Sequence, residues 1–430
     1  MIQLARVLWA YRNARRLRFT TREALERHQT QRISAHLAFL QKHSPFYSKL
    51  AGASLAELPL VDKATCLQYF DTMNTAGLTL DEVQRSAFSA EQSRDFAPTV
   101  RGYTVGLSSG TSGTRGVFVA SRAEQATWAG LALARLLPQG LFSGERIAFF
   151  LRAGSNLYSS VQTPWITFKF FDLLQPFEPH LSALQQYQPT IVVAPAQVLR
   201  ALALAKDAGR LAICPSRVVS VAEVLEPADK LLLANSFAQL AEVYQATEGF
   251  LAYTCPHGTL HLNEEYLHVE PEWLDTSCTR FVPIITDFTR TTQPVIRYRL
   301  NDILVAKSAP CPCGNPALAL SHIEGRCDDQ LVLPALAGGT RTLFADSLSR
   351  MLLQALPWQA DYRLTQTSLT ELTLVCSHST NLREAKQALS GQLLEHGIAV
   401  ERLCWTLAHE ALVMEPGMKR RRIRKQWGVC

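Results

Sequence analysis

The sequence predicts an α/β protein: a large N-terminal domain with parallel-rich sheets and helices, followed by a small α+β C-terminal domain. Three observations predict it. Between residues 147 and 195, the short apolar runs Ile147–Leu151 and Thr190–Ala194 alternate with a helical stretch, His180–Gln188. Strands apolar on both faces and separated by helices indicate βα units around a buried, largely parallel sheet. The alternation continues through Arg217–Val221, a helix from Pro227 to Phe237 and the apolar segment Ala241–Tyr244. After Arg326 the texture changes. Leu331–Leu333 and Leu369–Cys376 read as strands and Ser347–Leu356 and Asn381–His396 as helices, a unit of about a hundred residues. The expected domains are therefore 1–326 and 327–430.

The N-terminal region is helical: Ile33, Leu37 and Leu40 recur at helical spacing between Arg22 and Lys49, and Pro45 stops the pattern. Ahead of it, Met1–Phe19 mixes Leu4, Val7, Leu8 and Trp9 with Arg6, Arg12, Arg15, Arg16 and Arg18, which breaks any apolar run short of a signal peptide or a transmembrane segment. That stretch is either a helix packed on its own domain or a basic amphipathic helix lying peripherally on an acidic membrane.

The 430 residues are 47% hydrophobic and 19% charged, enough to bury the cores of two or three domains. Formal net charge is +6, but the run from Lys419 to Lys425 concentrates much of it, so the rest is near neutral and whole-protein nucleic-acid binding is not implied. Ten cysteines in a chain this long are no small disulfide scaffold, and Cys311-Pro312-Cys313-Gly314 suits a metal better than a disulfide. A cytoplasmic protein, monomer or homodimer, is expected.

The segment Ser108, Ser109, Gly110, Thr111, Ser112, Gly113, Thr114, Arg115, Gly116 lies between the apolar runs Tyr103–Leu107 and Val117–Ala120. Glycine lets backbone N–H groups turn toward an anion, and Ser and Thr hydroxyls add donors without bulk, as a triphosphate cradle needs; a plain surface turn is the alternative. The P-loop NTPase reading is weaker, because that motif needs Gly-Lys-Ser/Thr opening a helix, and here Arg115 is followed by Gly116 and a strand.

The segment resembles the signature loop of the adenylate-forming (ANL) superfamily of acyl-CoA synthetases, adenylation domains and luciferases. Later segments match in the family's order. Ser220-Val221-Ala222-Glu223 resembles the adenine-pocket segment, Tyr244-Gln245-Ala246-Thr247-Glu248 the Tyr-x-x-Thr-Glu motif, and Ile296–Asp302 the ribose-binding segment. Gly325-Arg326-Cys327-Asp328-Asp329 is similar to the domain hinge, and Gly417-Met418-Lys419 followed by Arg422-Ile423 to the ending that carries the family's lysine. Length, Pro294–Tyr298 and Cys-Pro-Cys-Gly before the hinge resemble the phenylacetate–CoA ligase and coenzyme F390 synthetase-like branch.

The resemblance implies a role for each residue. Glu248, with Thr247, would hold Mg²⁺ against the phosphates of ATP, because a hard cation takes carboxylate and phosphate oxygens together. Tyr244 would stack on adenine, Asp302 accept both ribose hydroxyls and Arg326 sit near ribose and phosphate. The family has Gly before this Asp; Asn301 stands there instead, and Asn tolerates positive φ. Lys419 would neutralise charge building on the attacked α-phosphate, with Arg420 and Arg422 as neighbours that the same role fits. Asp328 would be the pivot of a mobile C-terminal lid. Cys255, His261, Cys311 and Cys313 would form a closed Cys₃His structural zinc site if the fold joins the two segments, with plainly buried cysteines as the alternative.

The expected activity is an ATP-dependent acid–thiol ligase: a carboxylic acid, aromatic by branch, becomes an acyl-adenylate and passes to coenzyme A or to the phosphopantetheine of an acyl carrier protein. Two alternatives stay open, an adenylyltransferase of F390-synthetase type and an inactive nucleotide-binding regulator, though Lys419, Glu248 and Asp302 argue against the latter.

Overall fold

In the computed structural model of the chain, the described residues are 2–93, 95, 97–108, 116–137, 139–151, 166–173, 175–326, 330–357, 360–377, 381–412 and 421–427. Ser109 to Arg115, Cys327 to Asp329 and Lys419 lie outside them.

The expected parallel sheet is there. Strands β4 (Glu145–Leu151), β5 (Ile166–Asp172), β6 (Ile191–Ala194), β7 (Arg217–Ser220) and β8 (Leu240–Ala246) run parallel in the order β5-β4-β6-β7-β8. β6 is buried at every residue, as a strand covered by helices on both faces requires. The covering helices are Phe177–Tyr187 and Pro227–Ser236, within a residue or a few of the sequence expectation, and Ala196–Asp207, which the sequence reading did not name.

Beyond β8 the same sheet turns antiparallel, through β9 (Gly249–Thr254), β10 (Leu260–Leu262), β15 (Ala319–Arg326), β14 (Asp302–Ala306), β12 (Arg280–Asp287) and β11 (Leu267–Trp273), with β13 (Val295–Arg299) also on β12. This half has no counterpart in the βα alternation. A small separate sheet holds β1 (Thr99–Val100), β2 (Tyr103–Leu107) and β3 (Val117–Ala120).

The N-terminal helices brace the body. Thr21 caps Arg22–His43 by accepting from the Ala24 N–H at 3.2 Å, and Ile33, Leu37 and Leu40 form a core with Phe288 and Ile296, so the predicted stripe is the buried one. A separate core contains only residues between Leu331 and Ile423. It belongs to a four-stranded sheet of β18 (Tyr362–Gln366), β19 (Glu371–Cys376), β20 (Cys404–His409) and β21 (Ile423–Lys425), packed with helices Ala345–Ala355 and Leu382–Glu395, and a hairpin of β16 (Leu331–Pro334) and β17 (Thr340–Leu343).

Candidate active site

A cavity of 780 Å³ lies where the parallel half of the large sheet gives way to the antiparallel half, with Ser349, Arg350 and Arg421 of the C-terminal unit in its wall. Of the described residues named from sequence, Ser108, Gly116, Ala222, Glu223, Tyr244, Thr247, Glu248, Asp302 and Arg326 all line it. They come from five separate segments of the chain, on or beside strands β2, β3, β7, β8, β14 and β15. The outlying members, Ser109, Gly110, Thr111, Ser112, Gly113, Thr114, Asp328 and Lys419, are outside the described residues.

Asp302 and Arg326 are direct cross-strand partners at the ends of β14 and β15, which puts the Arg326 Nε 3.7 Å from Asp302 Oδ1. The Tyr244 hydroxyl donates to Asp302 Oδ2 at 2.5 Å. Burial first, and then the Asp302 charge, lift the Tyr244 phenol well above its ordinary pKa, so it stays a donor. Asp302 is thus an acceptor pinned from two sides and still partly open to the cavity. Gly325, at φ +136°, adopts backbone that only glycine takes easily, and its α-carbon packs toward Ala345 of the C-terminal unit.

Thr247 and Glu248 are the two-residue turn of the β8–β9 hairpin, since Ala246 pairs with Gly249. Gly249 is needed there: a β-carbon would lie 2.9 Å from the buried Asp287 carboxylate. Glu248 accepts a hydrogen bond from Tyr298, whose phenol is pushed up by burial and then by the Glu248 charge.

The Ser108–Gly116 segment is closed at its base, with Ser108 N donating to Gly116 O and Gly116 N to Ser108 Oγ, each at 2.8 Å. Its outgoing strand β3 is held by Gln293, which accepts from Val119 N at 2.8 Å and donates to Val117 O at 3.2 Å. Ala222 sits at φ +66°, an uncommon left-handed conformation for a residue with a β-carbon. Glu223 spends its carboxylate on Gln197, accepting from the backbone N at 3.1 Å and from Nε2 at 2.8 Å. It shapes the wall and caps the helix Ala196–Asp207.

Lys63 is the site residue that sequence reasoning missed. It opens the helix Lys63–Gln68, capped by Asp62, and passes so close to the loop base that a β-carbon on Gly116 would be 3.3 Å from its Cε. Burial and the Arg326 charge lower its ammonium pKa, and Glu248 opposes them. No local pattern marks it. Only the pairing of Val61 with the backbone flanking Tyr298, at 2.8 and 3.0 Å, brings this distant segment to the site. Next to it Leu67, Phe70 and Val117 give the cavity an apolar wall.

Arg422 spans the two units. Its guanidinium pairs with Glu226 at 2.7 Å and Asp229 at 2.9 Å on the large-domain side, with Asp361 at 3.6 Å on its own, and lies over the Tyr362 ring at 5.1 Å. Its side chain is 1% exposed. Tyr362 adds a hydrogen bond to Glu226 at 3.2 Å.

At the other end of the antiparallel half, Cys255 and His261 from the β9–β10 hairpin meet Cys311 and Cys313 from the β14–β15 connection, all four ligand atoms within 4.8 Å of one another. Cys255 Sγ is 3.7 Å from Cys311 Sγ and Cys313 Sγ is 3.4 Å from His261 Nε2. Tetrahedral zinc with the usual bond lengths sets such edges at about 3.8 and about 3.6 Å. His261 Nδ1 lies 3.1 Å from the Ala317 carbonyl, which can only accept, so that nitrogen carries the proton and Nε2 keeps the lone pair a metal would take. The four residues fit zinc in chemistry and geometry.

No family model and no curated protein matches the sequence. Solved structures do. The chain superposes on 2-hydroxyisobutyryl-CoA ligase in its postadenylation state with a TM-score of 0.65 at 15% identity, covering 93% of this chain and 90% of that one. The same ligase in its thioesterification state gives 0.51 at 17% identity, covering 92% and 90%. The amide bond synthetase McbA from Marinactinospora thermotolerans gives 0.53 at 15% identity over 75% and 68%, and the anthranilate CoA ligase AuaEII 0.52 at 14% over 76% and 67%. What is shared at these identities is the fold, and the chain has the fold of the adenylate-forming ligases.

Proposed function

We propose that this chain joins a carboxylic acid to ATP, forming an acyl-adenylate and pyrophosphate, and then transfers the acyl group to the thiol of coenzyme A or of a carrier-protein phosphopantetheine. The observation that carries it is the Tyr244–Asp302–Arg326 cluster sharing one cavity with Glu248, Lys63 and the closed base of the Ser108–Gly116 loop.

Asp302 accepts from the ribose hydroxyls, and the loop and Lys63 receive the phosphates. The acid's carboxylate attacks the α-phosphorus, an oxygen–phosphorus bond forms and the bond to the bridging oxygen breaks, releasing pyrophosphate. Charge gathers on the phosphoryl oxygens in the transition state. Cations fixed beforehand stabilise that charge without reorganising, the role assigned to Lys419 with Lys63 beside the loop. Glu248 fits Mg²⁺, because its carboxylate faces the cavity next to the phosphate loop and the nucleotide would supply the other oxygens. Bound there, Mg²⁺ would neutralise phosphate charge.

The apolar wall at Leu67, Phe70 and Val117 suits an acid with a hydrophobic body, and the branch resemblance makes that body aromatic. The same resemblance supports a domain boundary at 326/327, a pivot at Asp328 and a structural zinc at the Cys₃His cluster. A pyrophosphate-release screen across aryl and fatty acids tests the proposal, run beside Asp302→Asn. Acid-dependent release that falls with Asp302→Asn is expected, and release independent of any acid would refute it. A stable AMP-modified product would instead identify an adenylyltransferase.

A further inference from the structure

The helix Ile2–Arg16 is clamped to the body along one side and presents an unusual surface on the other. Val7, Ala10 and Ala14 are buried against the helix Arg122–Leu136. The two backbones approach at Gly130, where a β-carbon would lie 2.5 Å from Tyr11 N and 2.7 Å from Val7 O. Arg15 also donates to the Leu137 carbonyl at 3.3 Å. Packing this tight fixes which side faces out.

Residues facing away from the buried stripe by the 3.6-residue repeat are Ala5, Leu8 and Trp9 in the first turns, then Arg12 and Arg16. Trp9 is 66% exposed and Leu8 43%. Large apolar side chains have no reason to stand in water on a helix that already has its buried face. Phe142, 76% exposed, stands just beyond the turn whose Gly140 abuts the Tyr11 hydroxyl. The helix and the residues just after it are basic: residues 1–18 hold five arginines and no Asp or Glu.

The geometry points to a docking surface for an anionic lipid bilayer, with the helix axis in the plane of the membrane and Leu8 and Trp9 entering the headgroup region. Trp and Leu on a basic helix suit that boundary, where Arg side chains keep their charge at the phosphates while their stems cover apolar surface. Among the described residues no helix is long and apolar enough to cross a membrane, so attachment is peripheral.

Pelleting of the full chain with phosphatidylcholine vesicles, with and without phosphatidylglycerol, tests this without any substrate. Binding selective for the anionic vesicles and weakened by salt is expected. Arg12→Gln with Arg16→Gln should lower it about 25-fold, from roughly fivefold per arginine at the surface. Leu8→Ser with Trp9→Ser should lower it more than tenfold, and since these residues are exposed the fold is retained. Equal binding to both vesicle types, or wild-type binding by the Leu8/Trp9 variant, would overturn the assignment. So would capture on polyglutamate beads that the Leu8/Trp9 variant matches, which would make this a site for an acidic protein.

Discussion

Replacing Arg422 with Ala should cripple adenylate formation while sparing the thioester step. Arg422 is nearly inaccessible between Glu226 and Asp229 of one unit and Asp361 of the other. Arg200 also pairs with Asp229, at 2.9 Å, so the cluster sets two guanidinium groups against three carboxylates. Without Arg422, all three carboxylates lose this guanidinium across the interface. Removing one partner of a buried ion pair costs about 3–5 kcal/mol. Asp229 keeps Arg200 and Glu226 keeps Tyr362, which places this case near about 3 kcal/mol, a loss of roughly a hundredfold in the docked arrangement. Arg422 and β21 follow Lys419 in the chain, and the role proposed for Lys419 needs the two units docked, so adenylation should fall by that factor. The assay is pyrophosphate release in the first half-reaction, beside thioester formation from a supplied acyl-adenylate, which needs the docked pose less. Arg422→Lys should restore little, because one ammonium cannot bridge both carboxylates as the guanidinium fork does. Pyrophosphate release within about threefold of wild type in a folded Arg422→Ala protein, set against that hundredfold, would refute the reasoning.

Lys63→Ala should raise the KM for ATP and lower kcat at least about tenfold, the size expected for one preorganised charge at the phosphates, with the thermal midpoint unchanged; steady-state kinetics checks both. The purified protein should carry one zinc per chain by elemental analysis, and Cys313→Ser or a chelator should lower both metal content and melting temperature, since a closed site contributes directly to folding. His36 is buried, and desolvation first, then Arg32, lower its pKa to about 4, against a smaller opposing pull from Glu124. A base whose folded pKa lies below its unfolded one leaves the unfolded chain binding more protons, so stability is full above about pH 6.5 and falls toward pH 4, by about 3 kcal/mol in all. Thermal melts should show that slope reduced in His36→Gln; equal slopes would remove His36 as the cause.

The chain's local signals and its long-range pairings divided the work. Strands β4, β6 and β7, with the helices Phe177–Tyr187 and Pro227–Ser236, were legible because a doubly covered strand must be apolar throughout and a covering helix must carry a 3.6-residue stripe. The Ser108–Gly116 segment, the Thr247–Glu248 turn and the Cys255, His261, Cys311, Cys313 quartet were legible because each is a short run of chemically distinctive residues. Their order along the chain was enough to name a fold that the solved structures share. The antiparallel half was not, since its strands differ in burial from one to the next and register depends on partners far away. Lys63 and Arg422 show the same limit. An isolated Lys after Asp62 carries no local mark, and Arg422, named beside Lys419 in the basic ending, shows nothing there of partners in the large domain. Lys63 becomes a site residue only when Val61 pairs beside Tyr298, and Arg422 becomes the bridge between units only when folding brings Glu226, 196 residues away, within 2.7 Å. Sequence alone determined which chemical groups were available and in what order, because propensity and periodicity act over a few residues. Which of them share a cavity, and which charges lose their water there, was decided by tertiary packing.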